Sequence, residues 1–408
     1  MSLLNQCMTG LVASLALLQV APSHAGPVED WNSKLCDLTV AARLPPNIGG
    51  RIAALVQTAV YETVNAITHR YPASDLKLQP APGASIDAAV AAANHTLLSK
   101  LLPIQQATVD AAYQAALAAI ADGSAKTDGI ALGKAAAAGV LALRADDAEG
   151  VAAAESYRPH TTPGAYVPTV LPAALQWPQR KPWAMTRADQ FRPGPPPDLK
   201  SARWAADYNE IKTLGARNST RRTAEQTEIA RFWEATGPAI YFPLARSITV
   251  LPGREVTQNA RLLALAGQAM DDAYIAVFDA KYHYNFWRPV TAIRNADLDG
   301  NDRTERDPTW LPFIDTPMHP EYPCAHCIIS ASLGAVLQAE LGREATPRLS
   351  TTSVTAPGVV RSWTRIEDLV DEVANARVYD GVHYRYSTEV GRQMGKRIGE
   401  EVVSRSQR

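Results

Sequence analysis

The chain has 408 residues, 46% apolar and 20% charged, with 40 basic against 41 acidic residues and a formal net charge of −1. That length and apolar content can build a large core. The balanced charge argues against nucleic acid or an anionic membrane surface as the main partner. Any anion site in this chain must therefore be a local cluster of cations.

Taken in order, the first residues read as an export signal. Leu11 to Ala21 is apolar apart from Ser14 and Gln19, and Ser23-His24-Ala25 fits a small-x-Ala cleavage site. No Lys or Arg precedes the apolar run, which is unlike most signals. Residues 1–25 are thus expected to be removed, leaving an exported protein, periplasmic or secreted. No later segment reaches the roughly 20 apolar residues of a membrane-spanning helix. Loss of Cys7 leaves Cys36, Cys324 and Cys327, which is no disulfide framework. Cys324 and Cys327 could still pair in an oxidising compartment.

Residues 26–154 read as an N-terminal helical bundle. The segments Arg51–Tyr61 and Ile86–Leu102 carry apolar residues at three- and four-residue spacing. Pro103 suits the first turn of the next helix. The Ala-rich stretches Ala111–Ala121 and Ala135–Leu143 predict close helix packing, serving either the internal core or a homo-oligomer interface. Residues 155–200 are Pro-rich and carry Trp177, Trp183 and the run Pro193 to Asp198, which forbids regular helix. This connector is a candidate wall of a site, or a plain link between bundles. Residues 201–408 resume the helical pattern, with a capping box at Thr223 and Gln226, a loop over 295–322, and helices near 325–341 and 366–404 broken at Gly381. Asp297 to Asp302 only partly resembles a calcium loop. No useful strand alternation is present. The fold class expected is all-α, two packed helix bundles.

Three short stretches carry the chemistry. Lys281 and Arg288 are seven positions apart, which on a helix places them two turns apart on one face, with Pro289 ending that helix. Pro323-Cys324-Ala325-His326 precedes an amphipathic helix, where free N–H groups and the dipole favour an anion and His326 can exchange a proton. Arg377 and His383 would lie about 240° apart on a continuous helix, so the break at Gly381 is needed to bring them together. An imidazole beside arginines stays neutral, as a nucleophile or a metal ligand requires. Each cation offers a raw attraction of about 4 kcal/mol to a charge 4 Å away at intermediate dielectric. Singly, these fragments read as solvated cations and helix-end histidines. Jointly, they read as a site for a tetrahedral oxyanion.

The ordered trio resembles the type 2 phosphatidic acid phosphatase and vanadium haloperoxidase superfamily, whose fold is a pair of helix bundles. The resemblance implies that Lys281, Arg288 and Arg377 hold vanadate, or phosphate in the same place. It implies a side-chain contact from Cys324, a backbone N–H from Ala325, acid–base duty for His326, and His383 as vanadium ligand or phosphorus nucleophile. His319, seven residues before His326, matches a second histidine found in bromoperoxidases of that superfamily. Departures from the pattern are Cys324-Ala325 for Ser-Gly, Ala376 for Ser, and Ser387 for an Asp that would back the second His. The last favours the vanadate branch. The expected activity is therefore oxidation of halide by hydrogen peroxide. The alternatives are an exported acid phosphatase acting on a phosphate ester, and a non-catalytic phosphate or vanadate binder.

Overall fold

The computed structural model describes residues 26–407, apart from 75, 146, 148–156, 343 and 344. The expected signal segment 1–25 lies outside the described residues. The N-terminal helices are α1 (Pro27–Ala41), α2 (Pro46–Thr68), α3 (Ile86–Leu101), α4 (Gln106–Ala118) and α5 (Ser124–Ala142). After the connector come α6 (Ala202–Leu214), α7 (Ala224–Phe232), α8 (Pro238–Thr249), α9 (Val256–Tyr284) and α10 (Pro289–Arg294). The chain closes with α11 (Ala325–Leu341), α12 (Ile366–Tyr379) and α13 (Arg385–Arg405). The fold is all-α in its main body. One short hairpin, β1 (Leu349–Ser353) with β2 (Ala356–Trp363), is an element the sequence reading did not anticipate. The hairpin turns at Val354-Thr355, and Pro357-Gly358 lies inside β2, so the usual turn residues do not mark the bend.

Helix α9 is the axis of the molecule. Its apolar residues are buried around nearly the whole circumference, with α2 packed on one side and α11 and α13 on others. A single continuous core therefore includes residues from both helical groups. The helix starts with a capping box between Glu255 and Gln258 and stops at Asn285, which is left-handed at φ 46°.

Helices α11 and α13 meet almost backbone to backbone. Gly391, Gly395 and Gly399 recur every fourth residue on α13, one stripe of a helix face. A Cβ at Gly395 would lie 2.2 Å from the Ile328 carbonyl oxygen, and one at Gly399 2.3 Å from that of Ser332. This contact fixes the N-terminus of α11 against the start of α13, which is where His326 and His383 lie.

The connector runs along α9 and is pinned to it. The backbone N–H groups of Trp183, Ala184 and Met185 donate to the buried Asp272 carboxylate at 2.6–3.1 Å. Arg192 makes a paired contact with Asp279, both at 2.8 Å. Tyr282 and Tyr284 donate their hydroxyls to the carbonyls of Ala173 and Pro193. Further on, Tyr166 N–H donates to the Asn285 carbonyl and Trp287 N–H to that of Gly164. The connector thus covers the C-terminal end of α9.

Gly395→Ala should destabilise the protein by about 1–3 kcal/mol, the cost of forcing apart well-packed elements. The thermal midpoint reads this, and an unchanged midpoint would show that α11 and α13 are free to separate.

Candidate active site

The three cations arrive from different elements. Lys281 lies in the last turn of α9 and is fully buried. Arg288 is not on that helix. The chain turns at Asn285, and Arg288 is extended (φ −79°, ψ 155°) as the N-cap of α10. Pro289 accordingly starts a helix rather than ending one, so the expected two-turn helical stacking of Lys281 over Arg288 is corrected: tertiary return of the chain brings them together. Arg377 lies in the last turn of α12. Gly381 is left-handed at φ 79°, and the N–H groups of Val382 and His383 both turn back onto the Arg377 carbonyl at 3.3 and 3.2 Å. That turn carries the chain from Arg377 to His383.

Backbone carbonyls hold these cations in place. Lys281 Nζ donates to the carbonyls of Pro320 and Glu321 at 2.8 and 2.7 Å. Arg288 donates from Nε to the His319 carbonyl at 2.9 Å, from Nη1 to the Val382 carbonyl at 2.8 Å, and from Nη2 to His319 Nδ1 at 3.0 Å. Arg377 donates to the Trp233 carbonyl at 2.9 Å and to Asp380 at 2.6 Å. His319 therefore steadies Arg288, and its Nδ1 must be an acceptor there.

His383 is the centre of the cluster. Its Nδ1 lies 2.8 Å from Glu321 Oε1, and its Nε2 lies 3.3 Å from Arg288 Nη1. A guanidinium can only donate. Nε2 must then present its lone pair, and the ring proton sits on Nδ1 facing the carboxyl. The tautomer is fixed from both sides. Glu321 Oε1 also accepts from the Tyr384 N–H at 3.1 Å.

The electrostatics follow from burial. Desolvation, then Arg288, Lys281 and Arg377, hold His383 well below the usual imidazole range. Desolvation, Lys281 and Arg288 do the same for His319. His326 is lowered by burial and by Arg377, against a backbone hydrogen bond at Glu234. Burial also carries Lys281 well down, with Arg288 adding to it, and Arg288 to about 10. The Glu321 carboxyl is pushed up to about 7 by desolvation, against the pull of Lys281 and Arg288. All three imidazoles are neutral at physiological pH.

Cys324 is a correction. Its sulfur is bonded to Cys327, and the pair packs against Ala374. A disulfide sulfur carries no S–H, so Cys324 has no thiol proton to donate to an anion. Its remaining contribution is to cap α11 by accepting the Cys327 N–H at 3.2 Å. Ala325 is the first residue of α11, so its N–H has no partner within the helix. Ala376 is simply core. Asp299 spends its oxygens on Trp204, Thr304 and Asn301, anchoring the 295–322 loop.

Sequence reasoning missed Glu321 and Asp380. Glu321 supplies the carboxylate behind His383 that Ser387 cannot, so the inference drawn from the missing Asp at 387 falls. A glutamate two positions after His319 was the available signal, but nothing in linear spacing links it to position 383.

The arrangement fits a tetrahedral oxyanion. Among the described residues, Arg377 is the only one of the three cations with an ion pair. Arg377 Nε and His326 Nε2 are buried without a hydrogen-bond partner. The unsatisfied Arg377 donor and excess positive charge in a buried cluster are what an anionic ligand would relieve, and the free His326 Nε2 could accept a proton from it.

Residues 261–408 match the family model described as the VCPO second helical-bundle domain. The matched stretch is the one that carries Lys281, Arg288, His326, Arg377 and His383. A vanadium chloroperoxidase of Curvularia inaequalis is 30% identical over 38% of this chain, and the match spans 29% of that protein's length. The likeness of fold extends further than the sequence match. The structure titled as the first bacterial vanadium-dependent iodoperoxidase superposes with a TM-score of 0.78 at 23% identity, covering 93% of this chain and 95% of that one. A holo-type bacterial vanadium-dependent chloroperoxidase gives 0.73 at 16% identity, covering 95% and 94%.

Histidine-labelled 15N NMR of the protein without added vanadate should place the His383 proton on Nδ1. Glu321→Leu is expected to weaken that preference, with Arg288 alone left to select it, while Glu321→Gln keeps it through the amide oxygen. An unchanged signal in Glu321→Leu would remove Glu321 from this role.

Proposed function

We propose that this protein is a vanadium-dependent haloperoxidase, oxidising halide with hydrogen peroxide at a vanadate held on His383. The observation that carries the reading is the neutral His383, with Nδ1 tied to Glu321 and its Nε2 lone pair among three buried cations. Only a neutral imidazole can ligate, and the partner on the far nitrogen orients it and raises its basicity. Lys281, Arg288 and Arg377 would balance the oxyanion charge, with the Ala325 N–H at the α11 terminus as a further donor. When bound, vanadate supplies Lewis acidity that polarises peroxide without a change of oxidation state. His326 Nε2, buried and unpartnered, is the group that would hold or move the proton. His319 acts through Arg288, whose guanidinium it fixes. The same proposal places the mature protein outside the cytosol, where the Cys324–Cys327 disulfide would persist.

One observation favours a second reading. A carboxylate behind Nδ1 also makes Nε2 a better nucleophile, which suits an acid phosphatase acting through a phosphohistidine on a phosphate ester. The absent thiol at Cys324 favours the third, a non-catalytic phosphate or vanadate binder.

Vanadate-reconstituted protein should brominate a dye with peroxide and bromide, and His383→Ala should abolish this. His326→Ala should lower the rate about 10²–10⁴-fold. Aryl phosphate hydrolysis by the vanadate-free protein, without bromination, would establish the phosphatase instead. Vanadate binding with neither activity would leave the binder. The depressed pKa of His383 also has a sign. Its lone pair is available above that pKa, so bromination should persist as pH falls through 6.5. Loss of activity centred near 6.5 would mean a solvated imidazole and sink the ligand assignment.

A further inference from the structure

A separate cavity of about 260 Å³ opens beside Arg288, between the connector and the loop that precedes α11. Its wall includes Tyr166, Val167, Val290, Arg294 and Met318 as well as Arg288. Two arginines line it and no carboxylate does. Arg294 is half-buried, its Nε donates to the Trp310 carbonyl at 2.9 Å, and it makes no ion pair among the described residues. The rim is apolar. Val167 and Met318 are 45% and 52% exposed, and Val170 and Leu171 on the adjoining connector are 51% and 66% exposed. This rim is held in shape, since the Ala173 N–H donates to the Met318 carbonyl at 2.7 Å.

We infer that this cavity binds the organic acceptor of the reaction, a single-ring arene bearing a carboxylate, with its acid on Arg294 and its ring on the Val167, Val290 and Met318 side chains. The size is just below the usual range of ligand cavities, about 300–1,000 Å³, which limits the guest to one ring. A guanidinium without an ion pair, on a wall that mixes Val167, Val290 and Met318 with the neutral polar Thr169, Thr291 and Asn295, selects a planar anion. The binding stands on the cavity alone, while the chemistry rests on the haloperoxidase reading. Peroxide, halide and a proton give hypohalous acid and water. The acceptor then takes halogen from hypohalous acid: a carbon–halogen bond forms as the oxygen–halogen bond breaks, and the ring proton leaves with the hydroxide as water. An electron-rich ring held beside the oxyanion cluster would intercept the oxidant before it diffuses away.

The probe is 4-hydroxybenzoate, with phenol as the uncharged comparison, measured by calorimetry on the full-length protein with and without orthovanadate. The acid should bind at least about tenfold tighter than phenol, as one charge-assisted contact provides. Arg294→Gln should erase that difference. Val167→Trp, a change on the exposed connector, should weaken both probes by filling the space. Thermal midpoints establish that each variant is folded. Equal affinity for acid and phenol, binding unaffected by both variants, or displacement of the acid by orthovanadate would overturn the proposal. Wild-type oxidation of iodide to triiodide by peroxide separates the two readings. Triiodide formation without acid binding defeats only the acceptor site, and acid binding without triiodide defeats only the haloperoxidase reading.

Discussion

Lys281, Arg288 and Arg377 repel one another in a region from which water is excluded, and the rest of the site is organised around holding them there. Each is buried, and burial alone strongly disfavours charge. Carbonyls of Pro320, Glu321, His319, Val382 and Trp233 replace the lost water with fixed dipoles. Those dipoles orient the cations but cancel little of their charge. Asp380 pairs with one of them and Glu321 faces the others, but burial pushes both carboxyls up to about 7, so each is at most a partial counter-charge. The cluster keeps a surplus of positive charge within a chain whose formal net charge is −1.

The same surplus determines the state of the histidines. Imidazolium formation beside three cations in a dry pocket is unfavourable, so His319, His326 and His383 stay neutral. Neutral imidazoles have one donor and one acceptor nitrogen, and the neighbours choose which is which. Arg288 can only donate, so it selects the lone pair at His383 Nε2 and at His319 Nδ1. A cation thereby decides the chemistry of two neighbouring rings without reacting itself.

Close helix packing makes this possible. The glycine stripe of α13 lets α11 approach within backbone contact, so the two histidine-bearing helix starts are held side by side. The connector, pinned through Asp272 and Asp279 to α9, closes the side where Lys281 and Arg288 emerge. Its prolines forbid helix, and its buried tryptophan and tyrosine side chains anchor it to the bundle instead.

The helices were legible because periodicity, capping boxes and glycine breaks are local. Lys281, Arg288, Arg377, His326 and His383 were legible as a group because each motif is short and its residue types are unusual together. The resemblance to haloperoxidases followed from that same order of motifs. What remained hidden depends on contacts between residues distant in sequence. Arg288 reaches Lys281 only because Asn285 turns the chain, and Glu321 reaches His383 across 62 positions. Cys324 and Cys327, three residues apart, left both the thiol and the bonded form open in sequence, and the fold decides for the bond. The sequence by itself determined the helical class and the set of charged and titratable groups, since both are properties of residue type and short-range spacing. Tertiary structure alone decided which nitrogen bears a lone pair, which carboxyl stands behind it, and where a cavity opens, because hydrogen-bond partnership and desolvation exist only once the helices are packed.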